Sequence, residues 1–307
     1  MTEPAKPLSE FTPPSRIGFI GLGNMGAPMA ALLHEAGYAL VVADADAGAV
    51  SRFAERVACD QPGSLSELGE HCQAVITMLP GGEAVREVLL GDGGVAAGLQ
   101  PGAVVIDMSS SSPVGTRKLA IDLAGRHIEL VDAPVSGGVR KAVDGTLAIM
   151  AGGDPAVIER VRRLLEVMGK VFLTGVQGSG HAMKALNNYL SAGTLTLTAE
   201  AILAGTRFGL DARTMVDILN VSTGRSNSTE YKYPTFVLPR RFDSGFAMGL
   251  LAKDLRLAVE VAGATGSPSA LLLELSGVWD AAEARMGSAA DHTEVVIYLE
   301  SLLEERT

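Results

Sequence analysis

Cysteine, aromatic residues and positive charge are all scarce in this sequence, and each scarcity excludes a class of protein. Only two cysteines, Cys59 and Cys72, occur in 307 residues, and their spacing predicts neither a disulfide framework nor a zinc site. Aromatic residues make up 5% of the chain, whereas glycine occurs 36 times, which indicates many tight turns. The net charge of −10 argues against nucleic acid as a partner, because phosphate binding requires clustered lysine and arginine.

Membrane spans and metal-binding patterns are also missing. The apolar stretch that begins at Leu190 is interrupted by threonines and by Glu200, well short of a spanning length. The five histidines show no HxxxH or HxH pairing, so no metal site is predicted. Residues 1–14 lack the apolar core of a signal peptide and are predicted to form a disordered tail. These features together predict a cytoplasmic protein.

The residues after this tail follow a pattern that is typical of dinucleotide binding. A predicted strand over 16–21 runs into a GxGxxG turn, a helix over 27–36 and a second strand that ends at Asp44. In this motif the first glycine makes the tight turn, the second lets the backbone approach the pyrophosphate, and the third packs helix on sheet. The pyrophosphate then binds at the helix N-terminus. The turn consists of Gly21, Leu22, Gly23, Asn24, Met25 and Gly26.

Asp44 has two interpretations. As a cofactor ligand, its carboxylate accepts hydrogen bonds from the ribose hydroxyls and repels a 2′-phosphate. Asp46 adds to that repulsion, so the residues predict NAD in preference to NADP. As a structural residue, Asp44 caps the helix that follows.

Buried strands alternate with helices through the rest of the first half, which predicts a doubly wound parallel sheet. The strands over 74–79 and 103–107 end at loops that should face the cofactor, since ligands bind at the carboxyl ends of such strands. The serines after Asp107 have the alternative role of capping the next helix. Further elements are predicted over 145–153, 155–168 and 170–174, and the domain should end near Gly175.

A polar, glycine-rich turn at Ser136, Gly137 and Gly138 follows another predicted strand. Backbone N–H groups of the two glycines, beside the serine hydroxyl, are suited to hold a carboxylate. The alternative is an ordinary turn that binds nothing.

The second half is predicted to be helical from about Gly180 onward. Lys184 and Asn188 lie four residues apart, on one face of its first helix, and His181 near that face is a candidate second proton-transfer group. The loop over 222–229, which contains Arg225, either reaches a substrate or is a solvated linker. The apolar surface of these helices predicts a dimer. Helices are predicted over about 180–208, 211–221, 247–265, 268–286 and 291–304.

Four separated segments resemble the β-hydroxyacid dehydrogenases. These segments are 18–30, 132–138, 178–188 and 253–255, and the match runs in order from about residue 16 to 300. That family includes 3-hydroxyisobutyrate dehydrogenase, tartronate semialdehyde reductase and, more distantly, 6-phosphogluconate dehydrogenase. The resemblance implies an α/β Rossmann-type NAD-binding domain over 15–177, followed by an all-helical substrate and dimerisation domain over 178–307. It places the active site in the cleft between them.

The resemblance also implies a role for individual residues. Lys184 matches the catalytic lysine, and a lysine in a partly desolvated cleft is suited to pass the alcohol proton, since burial lowers an amine's pKa. Ser136, Gly137 and Gly138 match the carboxylate-binding turn, with Asn188 assisting. The resemblance further implies that Lys253 closes over cofactor and substrate. Leu79, Pro80 and Ser110 match positions that line the nicotinamide side in that family.

The implied activity is an NAD-dependent oxidoreductase that interconverts a small β-hydroxy acid and its semialdehyde or keto acid. The implied assembly is a homodimer or homotetramer through the helical domain. Asp291 and the Arg225 loop depart from the pattern of 3-hydroxyisobutyrate enzymes, so the sequence does not name the substrate. Two alternatives are an imine reductase, against which Lys184 and the Ser136 turn count, and a non-catalytic nucleotide-binding protein of the same fold.

Overall fold

Eight strands form one sheet in the first half of the chain. The computed structural model describes residues 10–304, and the chain divides into a unit that ends at Lys184 and a unit that begins at Ala185. The strands are β1 (Arg16–Ile20), β2 (Ala39–Ala43), β3 (Ala74–Thr77), β4 (Val104–Asp107), β5 (Glu129–Asp132), β6 (Val135–Ser136), β7 (Leu147–Gly152) and β8 (Gly169–Gly175).

The sheet order is β2-β1-β3-β4-β5-β7-β6, with β8 paired to β7. The first five strands are parallel, as predicted for a doubly wound sheet. β7 departs from that prediction, because it runs antiparallel to β5 and β6 and parallel to β8. The connection between β6 and β7 contains only a short helix, Gly138–Val143, and a right-handed crossover to a parallel strand requires a longer one.

Helices cover both faces of this sheet. The apolar side chains of β3 and β4 are fully buried, and two apolar clusters, one on each face, contain them. Burial on both faces explains why these strands are continuous apolar runs and not alternating patterns. The helices of this unit are α1 (Gly26–Glu35), α2 (Ala47–Ala54), α3 (Leu65–His71), α4 (Gly82–Leu90), α5 (Pro113–Ala124), α6 (Gly138–Val143) and α7 (Pro155–Glu166).

The segment that precedes β1 differs from the disorder predicted for residues 1–14. Residues 1–9 lie outside the described part of the chain. Phe11, however, is 3% exposed, and the guanidinium of Arg160 stacks over its ring at 5.4 Å. The Phe11 carbonyl also accepts a hydrogen bond from the Tyr38 hydroxyl at 3.1 Å. One buried aromatic side chain therefore holds residues 10–14 against the first unit.

The second unit is built from the helices predicted for it, within a few residues at each end. Its core surrounds Trp279, which is fully buried and whose Nε1 donates a hydrogen bond to Thr196 Oγ1 at 3.0 Å. The predicted fold class, an α/β Rossmann-type domain followed by an all-α domain, is confirmed. The first helix, α8 (Ser179–Phe208), begins within the last residues of the first unit. The others are α9 (Ala212–Asn220), α10 (Met248–Thr265), α11 (Ala270–Met286) and α12 (Val295–Glu304).

In the second unit, the sequence did not predict the π-helix over Ser228–Val237. It contains Pro234, a residue that usually indicates a helix boundary, since proline lacks the backbone N–H. The turn His292–Glu294 is a 3₁₀-helix, so the helix predicted from residue 291 begins as a tighter turn.

Candidate active site

The glycine-rich turn after β1 requires glycine at two of its three glycine positions. Gly21 has φ +101°, and a Cβ there would lie 2.3 Å from the carbonyl oxygen of Met78. A Cβ on Gly26 would lie 1.8 Å from the carbonyl oxygen of Gly21, so the start of α1 packs directly on the turn. Gly23 differs, because a Cβ there would meet nothing within 4 Å. The backbone at Gly23 therefore borders open space, which the approach of a pyrophosphate needs.

Asp44 faces this turn and does not cap the helix that follows. Its Oδ2 accepts a hydrogen bond from the backbone N–H of Leu22 at 2.6 Å, and its Oδ1 accepts one from that of Asp46 at 2.8 Å. The N-cap of α2 is Asp46, whose Oδ1 accepts from the N–H of Gly48 at 2.8 Å. The capping interpretation of Asp44 is therefore wrong.

A cavity of about 410 Å³ lies beside the turn and Asp44. The guanidinium of Arg52 pairs with Asp46 across a 3.0 Å distance between Nη2 and Oδ2. The hydrogen bond from Arg52 keeps the pKa of the Asp46 carboxyl below its ordinary value. The cavity is lined by Leu22, Gly23, Asn24, Ala27, Pro28, Asp44, Asp46, Ala49 and Arg52.

A buried carboxylate, Asp107 at the end of β4, organises the two loops that were predicted to face the cofactor. Its Oδ1 accepts hydrogen bonds from the Thr77 hydroxyl and the Ser109 backbone N–H, both at 3.0 Å. Its Oδ2 accepts one from the Ser111 hydroxyl at 2.7 Å. Ser109 Oγ in turn accepts from the backbone N–H of Leu79 at 2.9 Å. The loop after β3 and the loop after β4 are therefore fixed to each other.

The four serines after Asp107 occupy different environments. Ser109 and Ser111 are buried in the network around Asp107. Ser112 is the N-cap of α5, and its Oγ accepts from the N–H of Gly115 at 2.8 Å, so the capping alternative holds for this residue. Ser110 is half-buried, and Pro80 on the neighbouring loop is exposed.

The turn at Ser136 has a backbone that favours glycine at two successive positions. Gly137 and Gly138 have φ values of +141° and +71°, and both are exposed, whereas Ser136 is half-buried. A Cβ on Gly137 would lie 2.6 Å from the side chain of Lys141, and one on Gly138 would meet nothing within 4 Å. Glycine alone readily adopts such left-handed φ values. Two residues without side chains therefore follow the Ser136 hydroxyl directly.

Asp132, at the end of β5, holds the first turn of α8. Its Oδ1 accepts hydrogen bonds from the N–H of Gly178 at 2.7 Å and from Nε2 of Gln177 at 3.1 Å. Its Oδ2 accepts from the backbone N–H of His181 at 3.0 Å. Burial raises the pKa of the Asp132 carboxyl, and His181 with these N–H donors opposes that rise. Half-buried Lys184 follows within one turn, so its backbone position is set by the sheet.

His181 is a buried residue of this network and not an exposed acid or base. Its side chain is 0% exposed, and Nδ1 lies 2.8 Å from the hydroxyl of Thr116 on α5. Its Nε2 lies 3.6 Å from Asp107 Oδ2. An imidazole enclosed in this way is suited to position the start of α8, and the structure gives no support to the predicted second proton-transfer role.

Asn188, four residues after Lys184 on α8, takes part in a second polar chain. Its Nδ2 donates a hydrogen bond to Asp254 Oδ2 at 2.6 Å, and its Oδ1 accepts one from Asn187 Nδ2 at 3.1 Å. Lys253 Nζ lies 3.3 Å from Asp254 Oδ1, with 25% of the lysine side chain exposed and 2% of the aspartate. The adjacent lysine and aspartate are therefore partly to fully buried and are not an ordinary surface pair.

Arg225 and Asp291, which the sequence singled out, occupy different environments in the second unit. Arg225 is exposed, 3.6 Å from Glu230, and borders a cavity of about 590 Å³. Asp291 is the N-cap of the 3₁₀ turn, and it accepts hydrogen bonds from the Ser244 hydroxyl at 2.7 Å and the Thr293 N–H at 2.9 Å. These bonds give Asp291 a structural role.

The structure agrees with the sequence in showing two free thiols. Within residues 10–304, no three histidine, cysteine, aspartate or glutamate side chains are grouped so as to hold a metal ion. Over the same residues, no helix combines the length and the apolarity that crossing a membrane requires. Cys59 and Cys72 are both free, and burial raises the pKa of the Cys72 thiol to about 12.

Two family models match the chain in succession. The NAD binding domain of 6-phosphogluconate dehydrogenase matches residues 16–178. The NAD-binding domain of NADP-dependent 3-hydroxyisobutyrate dehydrogenase matches residues 178–299. The two matches meet at the start of α8.

Individual relatives match over most of their length. A 2-(hydroxymethyl)glutarate dehydrogenase from Eubacterium barkeri is 41% identical over 82% of this chain and 83% of its own. An NAD-dependent L-serine dehydrogenase from Pseudomonas aeruginosa is 38% identical over 82% of this chain and 87% of its own. A solved structure of 3-hydroxyisobutyrate dehydrogenase from Mycobacterium tuberculosis with L-serine is 33% identical, with a TM-score of 0.86 over 93% of this chain and 99% of that one.

Proposed function

This chain belongs to the β-hydroxyacid dehydrogenase family, and from that premise we propose that it is an NAD-dependent oxidoreductase of a small β-hydroxy acid. The reaction interconverts the alcohol and its semialdehyde or keto acid. The observation that carries the proposal is the presence of both Lys184 and the Ser136 turn in a chain that matches the family models over residues 16–299. Bound NAD supplies the hydride acceptor.

Lys184 is proposed to be the catalytic residue that moves the proton of the substrate hydroxyl. Its backbone is fixed by the hydrogen bonds of Asp132 to the first turn of α8, which supports an accurately placed amine. The backbone of Gly137 and Gly138, with the Ser136 hydroxyl, is proposed to bind the substrate carboxylate. Asn188 assists on the same side of α8, and its amide is already oriented by Asp254.

The cofactor-binding residues are proposed to be the glycine-rich turn, Asp44, Leu79, Pro80, Ser110 and Lys253. The carboxylates of Asp44 and Asp46 border the same cavity as the turn, and the one arginine there pairs with Asp46. A ribose with free hydroxyls suits that charge distribution better than a ribose 2′-phosphate does, which supports NAD over NADP.

We further propose that residues 15–177 act as the NAD-binding domain and 178–307 as the substrate and dimerisation domain. The exposed leucines of α8, Leu186, Leu190 and Leu197, support a homodimer or homotetramer, because they lie on one side of the helix. The two free cysteines fit a cytoplasmic protein.

The decisive experiment is NAD reduction with a panel of 3-hydroxy acids, for the unmodified protein and for Lys184→Ala. We expect the substitution to lower kcat by about 10²- to 10⁴-fold, since one positioned acid–base group contributes about that much. Lys118→Ala is the matched control, because Lys118 is an exposed lysine of α5 outside the proposed site.

Two results would contradict the proposal. If no carboxylate-bearing alcohol is oxidised although NAD binds tightly, the chain is a non-catalytic nucleotide-binding protein. If cyclic imines are reduced while hydroxy acids are not, the imine reductase alternative is correct.

A further inference from the structure

The proposed reaction leaves one buried amine unused, that of Lys232 on the π-helix. The residue is 7% exposed, and its Nζ donates a hydrogen bond to Ser191 Oγ at 2.9 Å. Across residues 10–304, no carboxylate oxygen lies within 4.0 Å of this nitrogen. Burying an ammonium group without a counter-ion is unfavourable, so its presence calls for a partner that the chain does not itself supply.

The charged groups nearest to Lys232 leave its positive charge largely uncompensated. Asp291 attracts it, but the Asp291 oxygens already accept hydrogen bonds from Ser244, Gly245 and Thr293. Burial and the neighbouring Lys232 lower the pKa of His292 to about 3, so this imidazole is neutral. Burial lowers the pKa of Lys232 itself to about 8, opposed by Asp291, and the amine is therefore still largely protonated at neutral pH.

The partner of this amine, Ser191, lies on the side of α8 that carries the proposed substrate groups. Ser191 follows Asn188 by three residues and Lys184 by seven, and these spacings place all three on one side of a helix. At about 1.5 Å of rise per residue, Ser191 lies about 4.5 Å beyond Asn188 along the axis and about 10 Å beyond Lys184. π-helices also occur often at functional sites, which fits the position of Lys232 on one.

We propose that Lys232 and Ser191 form a subsite for a second acidic group of the substrate, so that the enzyme prefers β-hydroxy acids with a distal carboxylate. The inference rests on the proposed function and deepens it, because it names the substrate class of the same site. The distal carboxylate accepts hydrogen bonds from the Lys232 ammonium and the Ser191 hydroxyl, which already contact each other. A charge-assisted bond in a site with little water discriminates strongly against a neutral group.

The test compares two substrates that differ in the distal group alone. In 2-(hydroxymethyl)glutarate that group is a carboxylate, and in 2-(hydroxymethyl)pentanoate a methyl group replaces it. We expect kcat/KM of the unmodified enzyme to favour the dicarboxylate at least about tenfold, since a hydrogen bond to a charged group contributes about 1.5–3 kcal/mol. Lys232→Met should lower that preference about ten- to a hundredfold, mainly through KM.

Two further variants distinguish the loss of a positive charge at Lys232 from a structural effect of the substitution. Ser191→Ala keeps the cation and removes the hydroxyl that orients it, so it should lower the preference by less than Lys232→Met does. Lys118→Met removes an exposed lysine from the first unit and should leave the preference as it is. A loss of activity by the same factor on both substrates in Lys232→Met would show that Lys232 only holds the π-helix against α8, and would overturn the proposal.

The substrate preference can also be measured as a function of pH on the unmodified enzyme. This test does not require that any variant folds. Because the amine binds the distal carboxylate in its protonated form, the preference should fall as the pH rises from 7 to above the pKa of Lys232, about 8. An ionisation that affects the turnover of both substrates equally cancels in the ratio. A preference that stays constant up to pH 10 overturns the proposal.

The outcomes also distinguish this inference from the function on which it rests. Turnover of both compounds without a preference for the dicarboxylate overturns the Lys232 subsite and leaves the proposed function intact. The absence of turnover on any β-hydroxy acid overturns both.

Discussion

Asp44 links the second strand of the sheet to the glycine-rich turn of the first. Its carboxylate accepts a hydrogen bond from the backbone of Leu22, so the charge is held at the edge of the cavity beside the turn. A negative charge fixed at that edge disfavours a 2′-phosphate, because the two anions would lie close together in a partly desolvated space. Under the proposed function, we therefore expect Asp44 to make the largest single contribution to cofactor choice.

Replacement of that side chain should change cofactor preference. In Asp44→Arg we expect the ratio of kcat/KM with NADP to that with NAD to rise at least about tenfold, since a guanidinium binds phosphate oxygens in a bidentate manner. Asp46→Asn is the control, because asparagine can still cap α2 while one charge is removed, and a smaller shift is expected. Equal use of both cofactors by the unmodified enzyme would contradict this assignment.

Single residues also show which contacts can be predicted from the sequence and which cannot. The patterns around Gly21, Asp44 and Lys184 were readable because their spacing along the chain is diagnostic. The link between His181 and Thr116 was not readable, because the two residues are far apart in sequence and meet only after α5 and α8 have packed. Lys232 likewise gave no signal, since a lone lysine in a polar segment is most often exposed.

Among the elements, the first turn of α8 has a strict steric requirement for glycine. A Cβ on Gly180 would lie 2.1 Å from the carbonyl oxygen of Met150 on β7 and 2.8 Å from that of Asp132 on β5. The helix can therefore approach the ends of these two strands only if this position lacks a side chain. The approach fixes the backbone that leads to Lys184.

A pair of glycine substitutions tests this requirement. Gly180→Ala should lower the free energy of unfolding by about 1–3 kcal/mol through overpacking, and should lower kcat because the backbone of Lys184 is displaced. Gly277→Ala in α11 is the matched control, because a Cβ there meets nothing within 4 Å. It should stabilise the helix by about 0.5–1 kcal/mol. Thermal unfolding and steady-state kinetics measure both effects, and a neutral result for Gly180→Ala would contradict the assigned packing.

Elements differ in how far the sequence predicts them. α10 and α11 follow from helical periodicity, because each buries one apolar side. The π-helix at Ser228–Val237 does not, because Pro234 and the polar residues before it predict an interruption. Its stability comes from tertiary burial of side chains such as Tyr233 and Phe236, which local propensity does not encode.

For the whole molecule, the exposed leucines of α8 predict an assembly of several subunits. Leu190 and Leu197 on α8 are 64% and 66% exposed, and Leu186 on the same side is 38% exposed. A row of exposed leucines on one helix is unfavourable in water and typical of an interface between subunits. This supports a homo-oligomer that forms through the helical domain.

Sedimentation equilibrium tests that prediction. The unmodified protein should have the mass of a dimer or tetramer at micromolar concentration, and Leu190→Glu should shift it toward the monomer, because a buried carboxylate without a partner is unfavourable. Ile121→Glu, at a position of α5 that is 73% exposed, should leave the mass unchanged. A monomeric unmodified protein would contradict the prediction.

The sequence by itself determined the order of the elements, the glycine-rich turn, the family and the residues whose roles follow from motifs, because each of these depends on neighbours along the chain. The tertiary structure decided what distant residues do together. It placed Asp107 at the centre of the loop network, bound the first turn of α8 to Asp132, and left the Lys232 amine beside Ser191 with no carboxylate partner among residues 10–304. The physical reason is that burial and hydrogen bonding act through space, so a side chain's partners and charge environment are set only when the helices and the sheet have packed.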